Sequence, residues 1–355
     1  MSRYRWALAA LAGVVAFIVL AGWVVTSSSP PSTVVSGVTG SAALFPAAQR
    51  SNAAEFTGLD GWINSKPLTL SGLRGKVVLV DFWTFSCVNC VRTIPHLQHL
   101  EQAYGSHGLV IVGVHSPEFD FEKQRANVQA AVTRLRVTWP VALDSEMNTW
   151  NAYNNQYWPA EYLIDQSGRV AYIHDGEGDD AVTESAIAAL LGVASTSPTA
   201  APPTRDLSTQ TPELYAGSGN GRGQLGDGES YGSLGQPVSY PDAGTPHDTD
   251  RILVTGTWAD QGQYLVSTSS GHVRLNFSAN ELYVVAGPDS RSVHVTVTVD
   301  GRAVPAAQLG PDLPVTGLDI GSQQLYHVLT AEAGSRHVID IAVPAGFRLY
   351  TFTFG

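Results

Sequence analysis

Apolar positions along this chain follow two rhythms. Val77 to Phe82 is a continuous apolar run interrupted by Asp81, and Leu109 to Val114 is a second; each leads into a stretch with helical spacing. Strands apolar at nearly every position are covered on both faces, so this alternation predicts a parallel, two-sided α/β sheet. Glu161 to Asp165 and Val170 to His174 are shorter strand candidates joined by "QSGR", whose Ser-Gly supplies the turn of a hairpin. Asp179 to Leu191 reads as a closing helix, its acidic start complementing the helix dipole and Gly192 ending it.

Past residue 212 the rhythm changes. Beyond a Gly-rich stretch from Gly217 to Gly235, read as a flexible loop, come short alternating runs: Arg251 to Val254, Gln263 to Val266, His272 to Phe277, Glu281 to Val285, Val293 to Val299, His337 to Val343 and Phe347 to Phe354. With Asp300-Gly301 as a tight turn, they predict an antiparallel sandwich. Between the two halves, "ASTSPTAAPPTRDLSTQTP" (194–212) has no apolar periodicity and reads as a linker.

At the N-terminus, Trp6 to Val25 carries no charge and follows Arg3 and Arg5. About 20 apolar residues suffice to cross a bilayer, so residues 1–25 are expected to form one transmembrane helix with the remainder outside the cytoplasm. A cleaved signal peptide is the alternative, and it also exports the rest. Residues 26–54, rich in Ser, Pro and Ala, read as a stalk above the membrane.

Composition narrows the partners. The chain has 355 residues, 44% hydrophobic, with 20 Lys and Arg against 31 Asp and Glu, a formal net charge of −11. That balance disfavours nucleic acid as a partner, and the length fits two domains.

The chemistry concentrates in "VVLVDFWTFSCVNCVRTIP", which holds both cysteines, Cys87 and Cys90. An exported chain with no other thiols holds this pair for chemistry more than for stability, since so short a loop gains little from a crosslink. Haem attachment requires His after the second cysteine, where Val91 stands. Zinc would need His96 and His99, yet a helix running on from Cys90 carries His96 about 9 Å along its axis. Peroxidase chemistry in the pattern P-x-x-x-T-x-x-C would use Thr84, but Val80 occupies the proline position. Redox chemistry fits best. A helix starting near Cys87 places that thiol among unpaired N–H groups that favour thiolate, making it the nucleophile, and Cys90, one turn inward, the resolving thiol. Asp81 is either a polar strand-end residue or a buried acceptor for the Cys90 proton; its apolar surroundings favour the second.

This stretch resembles the active-site strand of the thioredoxin superfamily, with Asp81, Cys87, Cys90 and Pro95 matching by position. The resemblance implies a cis-proline facing the thiols, here Trp158-Pro159, with Trp83 and Trp158 lining a substrate groove. The longer chain from Gly113 to Tyr157, with "VHSPEFDFE", resembles the extracytoplasmic TlpA-like branch. Over roughly 55–355, "WTFSCVNCVRTIPHL", "GVHSPEFDFE", "TPELYAG" and "FTFG" resemble the C-terminal half of DipZ-type proteins. That implies an α/β thioredoxin-like domain (55–193) followed by an all-β, jelly-roll-like sandwich (213–355) likened to carbohydrate-binding modules. It further implies a thiol-disulfide oxidoreductase with no cofactor beyond a redox-active Cys87–Cys90 disulfide. DipZ-type proteins begin with a multi-span electron-transferring membrane domain, so a separate membrane donor or acceptor is expected here. Exported proteins with thiols or disulfides are the expected substrates, and envelope glycan a partner of the sandwich. The rival reading is a glycan-binding adhesion protein using the thioredoxin fold as a scaffold. Trp258, Tyr264 and Tyr283 would be its sugar platform, although such residues more often belong to a sandwich core.

Overall fold

The two apolar runs form the centre of a six-stranded sheet. The computed structural model describes residues 44–195, 210–242, 244–246, 248–315, 317–331 and 335–355. Its first sheet comprises β1 (Gly61–Ile63), β2 (Val77–Trp83), β3 (Leu109–His115), β4 (Val141–Leu143), β5 (Ala160–Ile164) and β6 (Val170–Asp175), in the order β1-β4-β3-β2-β5-β6. Helices α1 (Val88–Tyr104), α2 (Arg125–Arg134), α3 (Asn148–Ala152) and α4 (Asp180–Leu191) connect or follow them. All seven residues of β2 are buried, as a strand covered on both faces requires.

The sheet is mixed, where a parallel one was expected. Strands β2, β3 and β4 run parallel, but β5 pairs antiparallel with β2, β6 with β5, and β1 with β4. The expected hairpin is the cause: it docks its first strand against β2 in reverse. Leu79 and Trp83 of β2 pack in one core with Cys90, Ile94 and Leu97 of α1 and Ile187 of α4. Val78, Val80 and Phe82 pack on the opposite face against Trp150 of α3.

Residues 44–54, expected as the end of a stalk, pack against the hairpin. Phe45 N–H bonds Ala171 O at 2.8 Å, Val170 N–H bonds Ser51 O at 2.9 Å, and Arg50 Nη1 lies 3.0 Å from Asp165 Oδ2. The expected membrane anchor (1–25) and most of the expected linker lie outside the described residues. Among the described residues no helix is long and apolar enough to cross a membrane.

The second domain is a large antiparallel sheet. Its strands are β7 (Leu214–Tyr215), β8 (Pro237–Tyr240), β9 (Ile252–Asp260), β10 (Leu265–Ser267), β11 (Gly271–Ser278) and β12 (Glu281–Pro288). They continue with β13 (Val293–Val299), β14 (Arg302–Ala303), β15 (Leu318–Ile320), β16 (Gln324–Thr330), β17 (Arg336–Val343) and β18 (Phe347–Phe354). The main path is β14-β13-β17-β11-β9-β10-β18-β12-β16. Strand β9 serves both ends of it: Ile252 to Thr255 pair with β11, while residues from Gly256 onward pair with β8 and β10. Gly256 sits at the change with φ +89, and a Cβ there would lie 2.6 Å from Ser270 O, so only glycine fits the corner. Val254, Trp258, Val273, Phe277, Ile341, Phe347 and Phe352 fill the core between the two parts of the sheet. The Asp300-Gly301 turn joins β13 and β14 with φ +52 and +71, as its sequence requires. The Gly-rich segment read as a flexible loop is instead pinned at its start, where Gly219 N–H bonds Gly262 O at 2.6 Å.

The two domains share one core. Tyr283, Val285, Leu325 and Tyr350 of the second domain belong to the same apolar cluster as Trp83, Phe119, Phe121 and Ile94 of the first. Tyr350 meets Phe119 and Phe121 edge-on at 5.3 and 4.8 Å. Around this contact, Glu118 Oε1 accepts from Tyr215 Oη at 2.8 Å and from Arg222 Nη1 at 2.7 Å.

Candidate active site

Strand β2 ends at Trp83, and a three-residue loop, Thr84 to Ser86, delivers Cys87 to the start of α1. Cys87 is the N-cap: its Sγ accepts the Cys90 N–H at 3.3 Å, so one of the helix's unpaired donors points at this sulfur. Cys87 is half-buried, while Cys90 is 1% exposed, and both are free thiols. Burial, and then the Cys87 sulfur beside it, push the Cys90 thiol well above its ordinary range. The two thiols therefore differ in exposure in the order the spacing suggests, Cys87 outward and Cys90 inward.

Pro159 follows a cis Trp158-Pro159 bond, and Trp158 O lies 3.9 Å from Cys87 Sγ. Trp158 is half-buried, packs at a tilt on Trp150 with centroids 4.2 Å apart and donates its Nε1–H to Ser116 O at 3.0 Å. Beside it Tyr157 is exposed. Trp83, in contrast, does not line a groove. It is 2% exposed and turns inward, because Gly113 opposite leaves room: a Cβ there would lie 2.9 Å from Trp83 Nε1 and 3.1 Å from Trp139 Nε1.

Asp81 is buried on the α1 face of β2. Burial pushes its carboxyl well above the usual range, the Glu161 carboxyl adds to this, and Oδ1 has no hydrogen-bond partner. His96 and His99, the candidate zinc ligands, face α4: His96 Nδ1 lies 3.9 Å from Asp180 Oδ2 and His99 Nε2 3.4 Å from Glu184 Oε2. Trp258 and Tyr283 are buried, and Tyr264 packs on Tyr350, so the aromatic residues of the second domain are core, as weighed above.

Two buried carboxyls near the dithiol escaped the sequence reading. Glu122, buried in the segment after β3, accepts Thr84 Oγ1–H and Ser86 Oγ–H at 2.5 Å each and Ser86 N–H at 3.3 Å. Its other oxygen accepts Glu118 N–H at 2.7 Å and Phe119 N–H at 2.9 Å. It therefore ties the loop that carries Cys87 to the segment that meets the second domain. His115, whose imidazole burial pushes down to about 3, stays neutral and places Nε2 3.3 Å from Thr84 Oγ1. The second carboxyl, Glu161, stands across the sheet from Asp81. Nothing local marked either residue: Glu122 sits in the charged turn Asp120–Lys123 and Glu161 in a short strand.

Residues 48–191 match the redoxin family, and residues 211–355 match the family described as the thioredoxin like C-terminal domain. The first domain is a thioredoxin-like redoxin, and the second belongs to that C-terminal family. The redoxin–C-terminal pair is 36% identical over 320 residues to Protein DipZ of Mycobacterium tuberculosis (strain CDC 1551 / Oshkosh), covering 85% of this chain and 43% of DipZ. The chain thus spans less than half the length of that relative. The redoxin domain alone is 29% identical over 114 residues to the thiol-disulfide oxidoreductase ResA of Halalkalibacterium halodurans, covering 32% of this chain and 62% of ResA. It is 26% identical over 122 residues to the thiol-disulfide oxidoreductase YkuV of Bacillus subtilis, covering 34% of this chain and 82% of YkuV. The redoxin domain is homologous to thiol-disulfide oxidoreductases.

Proposed function

We propose that this chain is an extracytoplasmic thiol-disulfide oxidoreductase, held at the membrane by its apolar segment at 6–25 and acting on exported proteins. The observation that carries this reading is the asymmetry of the dithiol: Cys87 is accessible at a helix N-terminus beside Trp158 O, and Cys90 is buried one turn behind it. Cys87 thiolate attacks a substrate disulfide, forming a mixed disulfide and releasing one substrate thiolate. Cys90 then attacks Cys87 Sγ, closing a Cys87–Cys90 disulfide and releasing the second, so two electrons pass to the substrate. Asp81 takes the Cys90 proton during that attack. Run in reverse, the same residues oxidise a dithiol. No cofactor beyond the cysteine pair takes part, and a separate membrane protein exchanges electrons with it. The second domain supports the segment that carries Glu122; its buried aromatics give a sugar no platform. Catalysed reduction of insulin disulfides by dithiothreitol tests the reading, with a Cys87→Ser control. A folded protein that accelerates neither this reaction nor dithiol oxidation would overturn it.

A further inference from the structure

Asp81 and Glu161 are direct cross-strand partners on antiparallel β2 and β5. Such partners project from the same face with Cβ atoms about 4.5–5.5 Å apart. That face is the one covered by α1 and α4, since Leu79 and Trp83, two residues either side of Asp81, share a core with Cys90. Asp81 is 3% and Glu161 5% exposed. Glu161 Oε2 accepts Thr183 Oγ1–H at 3.0 Å. The other titratable groups facing the pair are Cys90 from α1, Asp180 from α4, and His174 and Tyr172 from β6. Among the described residues no lysine or arginine bonds either carboxyl.

We propose that Asp81 and Glu161 hold and release the Cys90 proton as one carboxyl pair, Asp81 taking it from the thiol and Glu161, a positioning residue, supplying the vacancy by accepting the proton Asp81 already holds. This deepens the oxidoreductase reading and rests on it. Two carboxyls side by side in an apolar layer do not ionise together, so the pair keeps at least one proton and titrates as a unit. Burial, with the Asp180 charge adding and the Thr183 bond opposing, brings Glu161 to about 7, while Asp81 stands well above the carboxylate range. Near neutral pH the pair therefore passes from two protons to one, and only the singly protonated pair has room for another. When Cys90 Sγ attacks the mixed disulfide, the Cys87–Cys90 bond forms and the bond from Cys87 to the substrate sulfur breaks. The substrate leaves as thiolate, taking a proton from water, and the Cys90 proton passes to the pair.

The test uses the full chain and Ellman's disulfide, 5,5′-dithiobis(2-nitrobenzoate). Its first released nitrothiobenzoate reports capture by Cys87 and its second reports attack by Cys90; carboxyl carbon resonances of the dithiol protein are titrated in parallel. In Glu161→Gln, loss of the neighbouring like charge is expected to move the pH midpoint of the Asp81 carbon down by about one unit or more, and the second phase should follow that midpoint instead of the pair's first step. The first phase should keep its midpoint. In Asp81→Asn the Glu161 carbon should keep its midpoint but lose the second, higher-pH step that Asp81 ionisation gives it in the parent, which decides the matter if Glu161→Gln does not fold. An Asp81 midpoint unmoved in Glu161→Gln, or a parent Glu161 carbon without that second step, overturns the pair. A parent protein without a second phase would instead overturn the oxidoreductase reading, while the carbon titrations still judge the pair.

Discussion

Replacing Glu122 with alanine asks how much one buried carboxyl contributes to both the fold and the dithiol. Three backbone donors depend on it, from Ser86, Glu118 and Phe119, together with two hydroxyls that can turn elsewhere. A buried donor left unpaired costs about 1–3 kcal/mol, so the three N–H groups alone set a loss of at least about 3 kcal/mol. Glu122→Gln is milder: its carbonyl can keep the Glu118 and Phe119 donors and its amide can serve the hydroxyls, leaving Ser86 N–H unpaired at about 1–3 kcal/mol. Urea unfolding at neutral pH should rank parent above glutamine above alanine. Because the carboxyl fixes Thr84 and Ser86, the alanine protein should also alkylate Cys87 at a different rate from the parent, since the loop that delivers this thiol has lost its anchor. An alanine variant within about 1 kcal/mol of the parent would refute the accounting. One that is destabilised but alkylates at the parent's rate would refute the link to the thiol.

Cys90→Ser should trap substrates as mixed disulfides through Cys87, visible as reductant-sensitive adducts on gels; trapping by Cys87→Ser instead would reverse the two roles. Asp81→Asn should keep rapid alkylation of Cys87 while resolving mixed disulfides slowly near neutral pH, and equal turnover at every pH would refute the proton-acceptor role. The raised Asp81 carboxyl also has a signature in stability. Native protein holds that proton above the unfolded value of about 3.9, so the parent's stability falls as pH rises from there toward the folded value. Asp81→Asn should remove that slope, and parallel denaturation curves across pH would count against burial of an ionisable group. Tyr350→Ala empties a site in contact with Phe119, Phe121 and Tyr264, and should cost about 3–5 kcal/mol by urea unfolding monitored in both domains. Removal of residues from Thr211 onward exposes the same surface, so a truncated redoxin domain should precipitate or melt early; wild-type stability in that truncation would refute the shared core.

The dithiol was legible in the sequence because its chemistry is local. Helix start, thiol order and the acid at Asp81 all fall within ten residues, and the resemblance supplied Pro159 from a distance. The strands of both domains were legible where burial imposes a simple rhythm, at β2, β3, β13 and β18. Strand direction was not, because nothing in residues 160–175 says which way the hairpin meets β2. Strand β16 escaped because Gln324, His327 and Thr330 break its alternation, although it pairs with β12 throughout. Glu122 and Glu161 escaped for a related reason. Their partners lie 36 to 38 residues and 80 residues away along the chain, at Thr84 and Ser86 and at Asp81, so only the folded register brings them together.

The common core of Phe119, Phe121 and Tyr350 has a consequence for how this sequence can vary through descent. Rings that meet edge-on at about 5 Å leave no slack for a larger or smaller neighbour. A change at Phe121 therefore selects for a matching change more than two hundred positions later, and exchanging either half with that of a distant cousin breaks a fit neither half records alone. Substitutions in the two domains are therefore expected to be correlated across the join.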